Sequence, residues 1–459
     1  MKKKFLHIIR EENFLSLAGN LLIALFGIAG FSVLARSLSQ NDFGQWVLFI
    51  AAGSFVEMFR FGITNTGLIR FLSGADAAMR TSLIGSNAFI GVISTTCISA
   101  LLILCNLVFN NAIQHSGYAL FFTWYPLLAF INLPWNNALV VLQADRFYGK
   151  ILLLKAVNSV GFFAVLLVNY FTHWFDLTQL VWVLLIVNAL TSAISFIKGW
   201  DGLRFIKKAT RQTNSTLLHF GKYTTFTLIG TNLLRSADTI IISLSPMGNA
   251  AVALYSIPIK LTELQQIPLR SFTATAFPKM SKASLQGKAA EVREYFYTYA
   301  GAITYLFVFV SIFTFLFAAF FVLVLAGKTY TGTEAVTIVR IFSLYGLLLP
   351  IDRMTGIGLD SINKPQVNAL KVFYMVAANI AGDLIAIFIF KSLLLVAVAS
   401  ILFTLVGIYT GMHFLNKELT LQYREIFRSG INFYKTYFNK FFHPKHSSLL
   451  NSSVPAGKS

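Results

Sequence analysis

"GQWVLFIAAGSFVEMFRFGITNTGL", residues 44 to 68, is long and apolar enough to cross a bilayer, yet Glu57 and Arg60 fall in its middle third, one helical turn apart. Each such charge costs about 2.5–3.5 kcal/mol at a helix centre on the translocon scale, so the segment needs a polar interior or a partner to face rather than lipid. With a helical period, Gly53, Glu57, Arg60, Thr64 and Gly67 recur at gaps of four and three and share one face. The stretch reads as one span of a bundle whose inside is polar.

Outward from it, the composition agrees. The 459 residues are 56% hydrophobic, 15% aromatic with 45 Phe, and only 12% charged, and the mean hydropathy of +0.68 lies outside the range of soluble domains. Cys97 and Cys105 lie in one apolar run and the seven histidines are scattered without ligand spacing, so neither a disulfide nor a metal site is expected. The net charge of +19 is spread over short loops and a tail rather than gathered in a folded basic domain, which argues against nucleic acid as a partner. "MKKKFLHIIREEN" resembles the n-region of a signal peptide, but the apolar run behind it is long enough to span and lacks an A-x-A site. It reads as a retained first helix.

Twelve apolar runs follow, at about 14–35, 44–68, 82–109, 118–142, 150–171, 178–198, 222–244, 250–272, 298–327, 334–357, 367–390 and 392–415. The odd-numbered connections hold only Arg36, Lys328 and Lys391, while the even ones and both ends are rich in Lys and Arg. That bias places both termini in the cytoplasm. The longest internal loop separates two sets of six spans. The expected organisation is a cytoplasmic N-terminus (1–13), an N-lobe (14–198), an inter-lobe linker (199–221), a C-lobe (222–416) and a basic cytoplasmic tail (417–459) lying along anionic lipid. "SLSQ" (37–40) and "SLSP" (243–246) end the first and seventh runs, and their offset also pairs Glu57 with Glu263. "LLLK" ending at Lys155 and "NALK" ending at Lys371 match at a slightly longer offset. The expected fold is therefore all-α and polytopic, twelve transmembrane helices in two six-helix lobes forming a parallel pseudo-repeat around a central cavity.

Basic residues within spans are Arg60, Lys155, Arg235, Lys260, Arg270, Arg340 and Arg353; acidic ones are Glu57, Asp238, Glu263, Asp352 and Asp383. Polar stripes recur on the seventh run through Thr231, Arg235 and Asp238, and on the eighth through Ser256, Lys260, Glu263, Gln266 and Arg270. The pairs Glu57–Arg60, Arg235–Asp238 and Lys260–Glu263 are all spaced i, i+3, so each could neutralise itself and serve only helix packing. Lys155 reads as a lysine snorkelling to the cytoplasmic surface. Against pairing alone stands a basic surplus, with Arg270 and Arg340 lacking any local acidic neighbour, and a basic cavity attracts an anion. Pro126, Pro134, Pro258, Pro268 and Pro350 interrupt spans and permit bends.

The run "FSVLARSLSQNDFGQWVLFIAAGSFVEMFRFGITNTGLIRFLSG", residues 31 to 74, resembles the opening hairpin of polysaccharide transporters, the O-antigen and capsule flippases of the multidrug, oligosaccharidyl-lipid and polysaccharide exporter superfamily. The resemblance rests on Asp42, Phe43 and Gly44 in the short loop and on Gly62 and Arg70 where the second span closes. "GIGLDSINKPQVNALKVFYMVAANI", residues 356 to 380, is similar to the family's glycine, Lys-Pro and Asn-containing helix, whereas "KSLLLVAVAS" departs from its Gly-Ala-Ala run. The resemblance implies a V-shaped pair of lobes that alternates between inward-open and outward-open states. It would carry a polyprenyl-diphosphate-linked oligosaccharide across the bacterial cytoplasmic membrane for O-antigen, capsule or exopolysaccharide synthesis, with glycan polymerase and ligase machinery as further partners.

The charge argument supplies the expected contacts. A sugar diphosphate cannot cross hydrocarbon unaided, and cations replace the water around its phosphates. Arg60, Arg235, Lys260, Arg270 and Arg340 are the expected substrate-binding cations; Glu57, Asp238, Glu263 and Asp383 balance charge or couple transport to a sodium or proton gradient, with no cofactor. On this reading Arg60→Ala and Arg235→Ala abolish transport at a normal protein level. A cation-coupled drug exporter of the same superfamily is the alternative, favoured by an acidic or apolar cavity. A membrane glycan polymerase or glycosyltransferase ranks last, because the chain holds no D-x-D, no P-loop and no large outer loop.

Overall fold

The computed structural model describes residues 12–62, 64–72 and 75–442, and every regular element among them is helical. In chain order these are α1 (Glu12–Ser37), α2 (Gln40–Gly62), α3 (Asn65–Leu72), α4 (Ala77–Val108), α5 (Asn110–Gln114), α6 (Ala119–Ala144), α7 (Tyr148–Thr172) and α8 (Leu177–Ile197). A 3-10 turn, Leu203–Lys208, leads to α9 (Arg211–Ser243), α10 (Gly248–Leu285), α11 (Ala289–Leu316), α12 (Ala318–Ala326) and α13 (Lys328–Thr331). Last come α14 (Glu334–Ser361), α15 (Pro365–Leu384) running into a π turn, α16 (Leu393–Leu419) and α17 (Tyr423–Phe442). The first eleven residues and the "HSSLLNSSVPAGKS" end of the tail lie outside the described residues.

Among the described residues, ten helical segments are long and apolar enough to cross a membrane. They coincide with ten of the twelve expected runs. The other two runs fall on α9 and α10, which are 33 and 38 residues long but carry the polar stripes that lower their hydropathy. Helix ends follow local chemistry: Asp176 and Gln179 form a reciprocal capping box at α8, Thr210 and Thr213 another at α9, and Asp76 accepts from the Met79 amide at α4.

The bundle inverts the soluble pattern. Leu107, Phe171 and Phe309 expose 73%, 74% and 70% of their surfaces, while Arg60, Asp352, Lys371, Asn379 and Asp383 are buried. Outward faces made of Leu and Phe suit lipid, and inward polar groups must find partners within the protein.

By packing, the chain forms two compact units: one runs as far as Ile257 and takes in Val322–Ala335, the other holds Pro258–Phe321 and Val336 onward. The lobes expected on either side of 199–221 are divisions of membrane topology; packing groups α9 and the start of α10 with the N-terminal helices. Leu217 of α9 lies in one core with Leu68, Leu83, Ile84 and Val141, against which Phe205 of the 3-10 turn also packs. Ser86 and Thr213 hydroxyls meet at 2.6 Å. The segment expected as a plain linker is thus folded onto α4 and already contains the first turns of α9. Val322–Ala335 joins the same unit because Arg36 reaches the end of α12, donating to the carbonyls of Leu323 at 3.0 Å and Val324 at 2.5 Å. In the second unit the core gathers Met280, Phe296, Phe307, Leu359, Leu415 and Ile426 from α10, α11, α14, α16 and α17.

Candidate functional site

In α2, Arg60 is completely buried, and four of its five N–H groups are engaged. Nη1 pairs with Glu57 Oε1 at 2.5 Å, Nε and Nη2 donate to Thr95 Oγ1 at 3.2 and 2.7 Å, and Nη2 also donates to the Ala129 carbonyl at 2.6 Å. Glu57 Oε1 accepts further from the Tyr125 hydroxyl at 2.9 Å, and Oε2 from Asn136 Nδ2 at 3.4 Å. Three helices therefore meet on one ion pair: α2 supplies the charges, α4 a hydroxyl, and α6 a phenol, an amide and a backbone carbonyl. Pro134 interrupts α6 near this contact, and the Ala129 carbonyl accepts from Arg60. The Glu57 side chain is still one-quarter exposed while Arg60 is not.

On the same face of α4 as Thr95, two turns away, buried Asn87 donates to Asn137 Oδ1 at 3.2 Å. On α9, Asp238 is buried and accepts from the Tyr255 hydroxyl of α10 at 2.8 Å. The side chain of Arg235 lies outside the described residues.

In the second unit, Lys260 and Glu263 pair at 2.9 Å with about a quarter of each side chain exposed. Arg270 and Arg340 are exposed, and the Arg340 guanidinium stands 5.9 Å from the Phe315 ring centroid. Asp383 is fully buried on α15 and accepts from Asn379 Nδ2 at 3.1 Å. Of the three i, i+3 pairs weighed, Glu57–Arg60 and Lys260–Glu263 are present, and the third falls on Arg235.

Two lysines find partners on neighbouring helices. Lys155 turns to the neighbouring helix and donates to Asn20 Oδ1 of α1 at 2.9 Å. Lys371, which no charge argument singled out, is buried on α15, with Asp352 Oδ1 at 2.6 Å, the Asp352 carbonyl at 2.6 Å and Thr355 Oγ1 at 3.1 Å. The one sequence signal for it is the "NALK" echo of "LLLK". Gly411 on α16 makes room for this group, since a β-carbon there would stand 2.5 Å from Thr355 Oγ1.

Solved structures share this fold of helices with apolar outer faces and paired charges within. A multidrug resistance MATE family transporter of the MOP superfamily, inward-facing, matches with a TM-score of 0.72 at 13% identity over 90% of this chain and 100% of that one. The lipid II flippase MurJ in an inward closed conformation matches at 0.71 and 12% identity over 94% and 92% of the two chains. A MOP superfamily transporter from Pyrococcus furiosus matches at 0.59 and 14% identity over 90% and 96%. Among curated proteins, none matches the chain in sequence.

These likenesses define the class, a polytopic membrane protein with the MOP transporter fold. The family described as "Polysaccharide biosynthesis protein" matches residues 9–284, and the chain belongs to that family. The family is one of polysaccharide biosynthesis and the fold is shared with MOP superfamily transporters, in keeping with the resemblance of residues 31 to 74.

Proposed function

We propose that this protein flips polyprenyl-diphosphate-linked oligosaccharide repeat units from the inner to the outer leaflet of the bacterial cytoplasmic membrane by alternating access, for O-antigen, capsule or exopolysaccharide synthesis. The observation that carries the reading is the family match over residues 9–284, joined to a fold held in common with a lipid II flippase. The diphosphate is met by cations of the second unit, the exposed Arg270 and Arg340 together with Lys260. Arg60 holds the Glu57 carboxylate, because four of its five N–H groups are taken up by Thr95, the Ala129 carbonyl and Glu57. Glu57, Asp238, Glu263 and Asp383 balance charge or couple transport to sodium or protons, and the lipid tail stays in the bilayer. Polymerase and ligase machinery takes up the flipped unit.

The test is deletion in a cell that makes the cognate glycan. Lipid-linked repeat units accumulate on the cytoplasmic side and plasmid-borne wild type clears them; normal glycan without accumulation sinks the reading. The MATE likeness at a TM-score of 0.72 favours a second reading, a cation-coupled drug exporter. Drug resistance unchanged by overexpression removes it.

A further inference from the structure

The basic tail is not a featureless strap where it is described. After α16 the chain turns at Thr420, with φ of 47°, and is pinned there: Arg293 Nη1 donates to the Leu419 carbonyl at 3.3 Å and to Thr420 Oγ1 at 3.1 Å, and the Gln422 amide donates to the Tyr297 hydroxyl at 2.7 Å. The next segment is the helix α17, packed along α11.

Its rotation is set by a close crossing. A β-carbon on Gly430 would stand 2.5 Å from the Gly301 carbonyl carbon, and one on Gly301 would stand 2.7 Å from the Gly430 nitrogen. Ile426 is buried on the same face, and one turn beyond Gly430 the Tyr434 hydroxyl donates to the Ala302 carbonyl at 2.9 Å. With that face committed to α11, the remainder of α17 is presented in a fixed order. Tyr423, Phe427 and Ile431, spaced four apart, form an apolar shoulder exposed by 62%, 46% and 43%. Beside it, opposite the buried face, stand exposed Arg424, Arg428 and Lys435; Arg428 holds only a loose 3.5 Å pair with Glu425.

We propose that this outer face of α17 binds the anionic phospholipid surface of the leaflet beside it, with phosphates on Arg424, Arg428 and Lys435 and acyl chains against Tyr423, Phe427 and Ile431. An apolar shoulder running alongside a basic ridge is the surface of a helix that lies at the boundary of headgroups and hydrocarbon. A protein partner would have to cover ridge and shoulder together, whereas a leaflet already offers both chemistries at that spacing. Because α17 is locked to α11 at Gly301, lipid held by α17 bears directly on a helix of the second unit. The proposal needs only the membrane class and is independent of the substrate.

The test is hydrogen exchange of the full chain in nanodiscs of phosphatidylcholine alone or mixed with phosphatidylglycerol. Amides of α17 exchange about tenfold more slowly with phosphatidylglycerol present, and high salt removes the difference by screening the headgroup charge. The triple variant Arg424→Gln/Arg428→Gln/Lys435→Gln loses the difference, and Arg424→Lys/Arg428→Lys retains it. Equal exchange in the two lipid mixtures, a difference that survives in the triple variant, or equal protection by inorganic phosphate in phosphatidylcholine overturns the proposal. The last result would mean a free-anion site instead. An exchange pattern of α11 that is the same in the triple variant and the wild type shows that the helix remains docked.

Discussion

Gly44 of α2 and Asn249 of α10 touch backbone to backbone: a β-carbon on Gly44 would stand 2.6 Å from the Asn249 carbonyl carbon. Asn249 is further held by its side chain, whose Nδ2 donates to Asn41 Oδ1 at 3.1 Å. Gly44 is the glycine of the Phe43–Gly44 pair on which the family resemblance rests, and the contact gives that glycine a physical role. Gly44→Ala forces the two helix starts apart and is expected to cost about 1–3 kcal/mol, as overpacking does. Gly27→Ala, where nothing lies within 4 Å, is the neutral control. Thermal unfolding of the solubilised protein separates the two, and equal melting temperatures would refute the close contact.

Arg60→Ala is expected to lower the protein level as well as transport, in place of the normal level foreseen from charge alone. Removing a fully buried guanidinium strands Glu57, Thr95 and the Ala129 carbonyl, and breaking one side of a buried pair costs about 3–5 kcal/mol. Glu57→Gln/Arg60→Met leaves no buried charge and recovers part of that loss. Immunoblots of membrane fractions compare the variants; a single substitution as abundant as wild type would count against the network.

Lys371→Met and Asp352→Asn are each expected to destabilise the second unit by a similar amount, about 3–5 kcal/mol, since each leaves a buried charge alone. The double variant is expected to lose less than the two singles added together. A double-mutant cycle on unfolding measures the coupling, and strict additivity would show that the pair contributes nothing.

Asp201 lies in the loop after α8, and burial raises its carboxyl above the ordinary value, against the opposing Leu203 amide and Arg204. A raised folded value means that the protonated form is favoured in the fold, so the contribution to stability is complete below the unfolded value and is lost as pH rises through the folded one. Asp201→Asn keeps an acceptor for the Leu203 amide and avoids the buried charge. It is expected to stabilise near neutral pH and to have little effect in acid. Melting curves across pH test this, and a variant less stable than wild type at neutral pH would reverse the assignment.

The i, i+3 charge pairs were legible because spacing within one helix is a local property, and Glu57–Arg60 and Lys260–Glu263 both close as that spacing allows. Thr95, Tyr125, Asn136 and the Ala129 carbonyl were not, because each comes from another helix and no periodicity on α2 indicates what α4 and α6 bring to it. Lys371 was hidden for a related reason: nothing in the pattern of α15 indicates that the helix carrying Asp352 and Thr355 lies against it. The amphipathic order of α17 lay in the tail's sequence, but which of its faces is spent on α11 did not.

The sequence by itself determined that this is a polytopic helical membrane protein, where its apolar runs fall and which charges sit inside them, since a continuous apolar run of about 20 residues satisfies its backbone bonds in hydrocarbon as a helix. Only the tertiary structure decided which of those charges are spent on one another. Arg60 is closed in by three helices and Arg270 stands open, although both are arginines in apolar runs. The distinction depends on atoms brought from distant parts of the chain, where burial and hydrogen-bond geometry, rather than residue type, set what a charge can still bind.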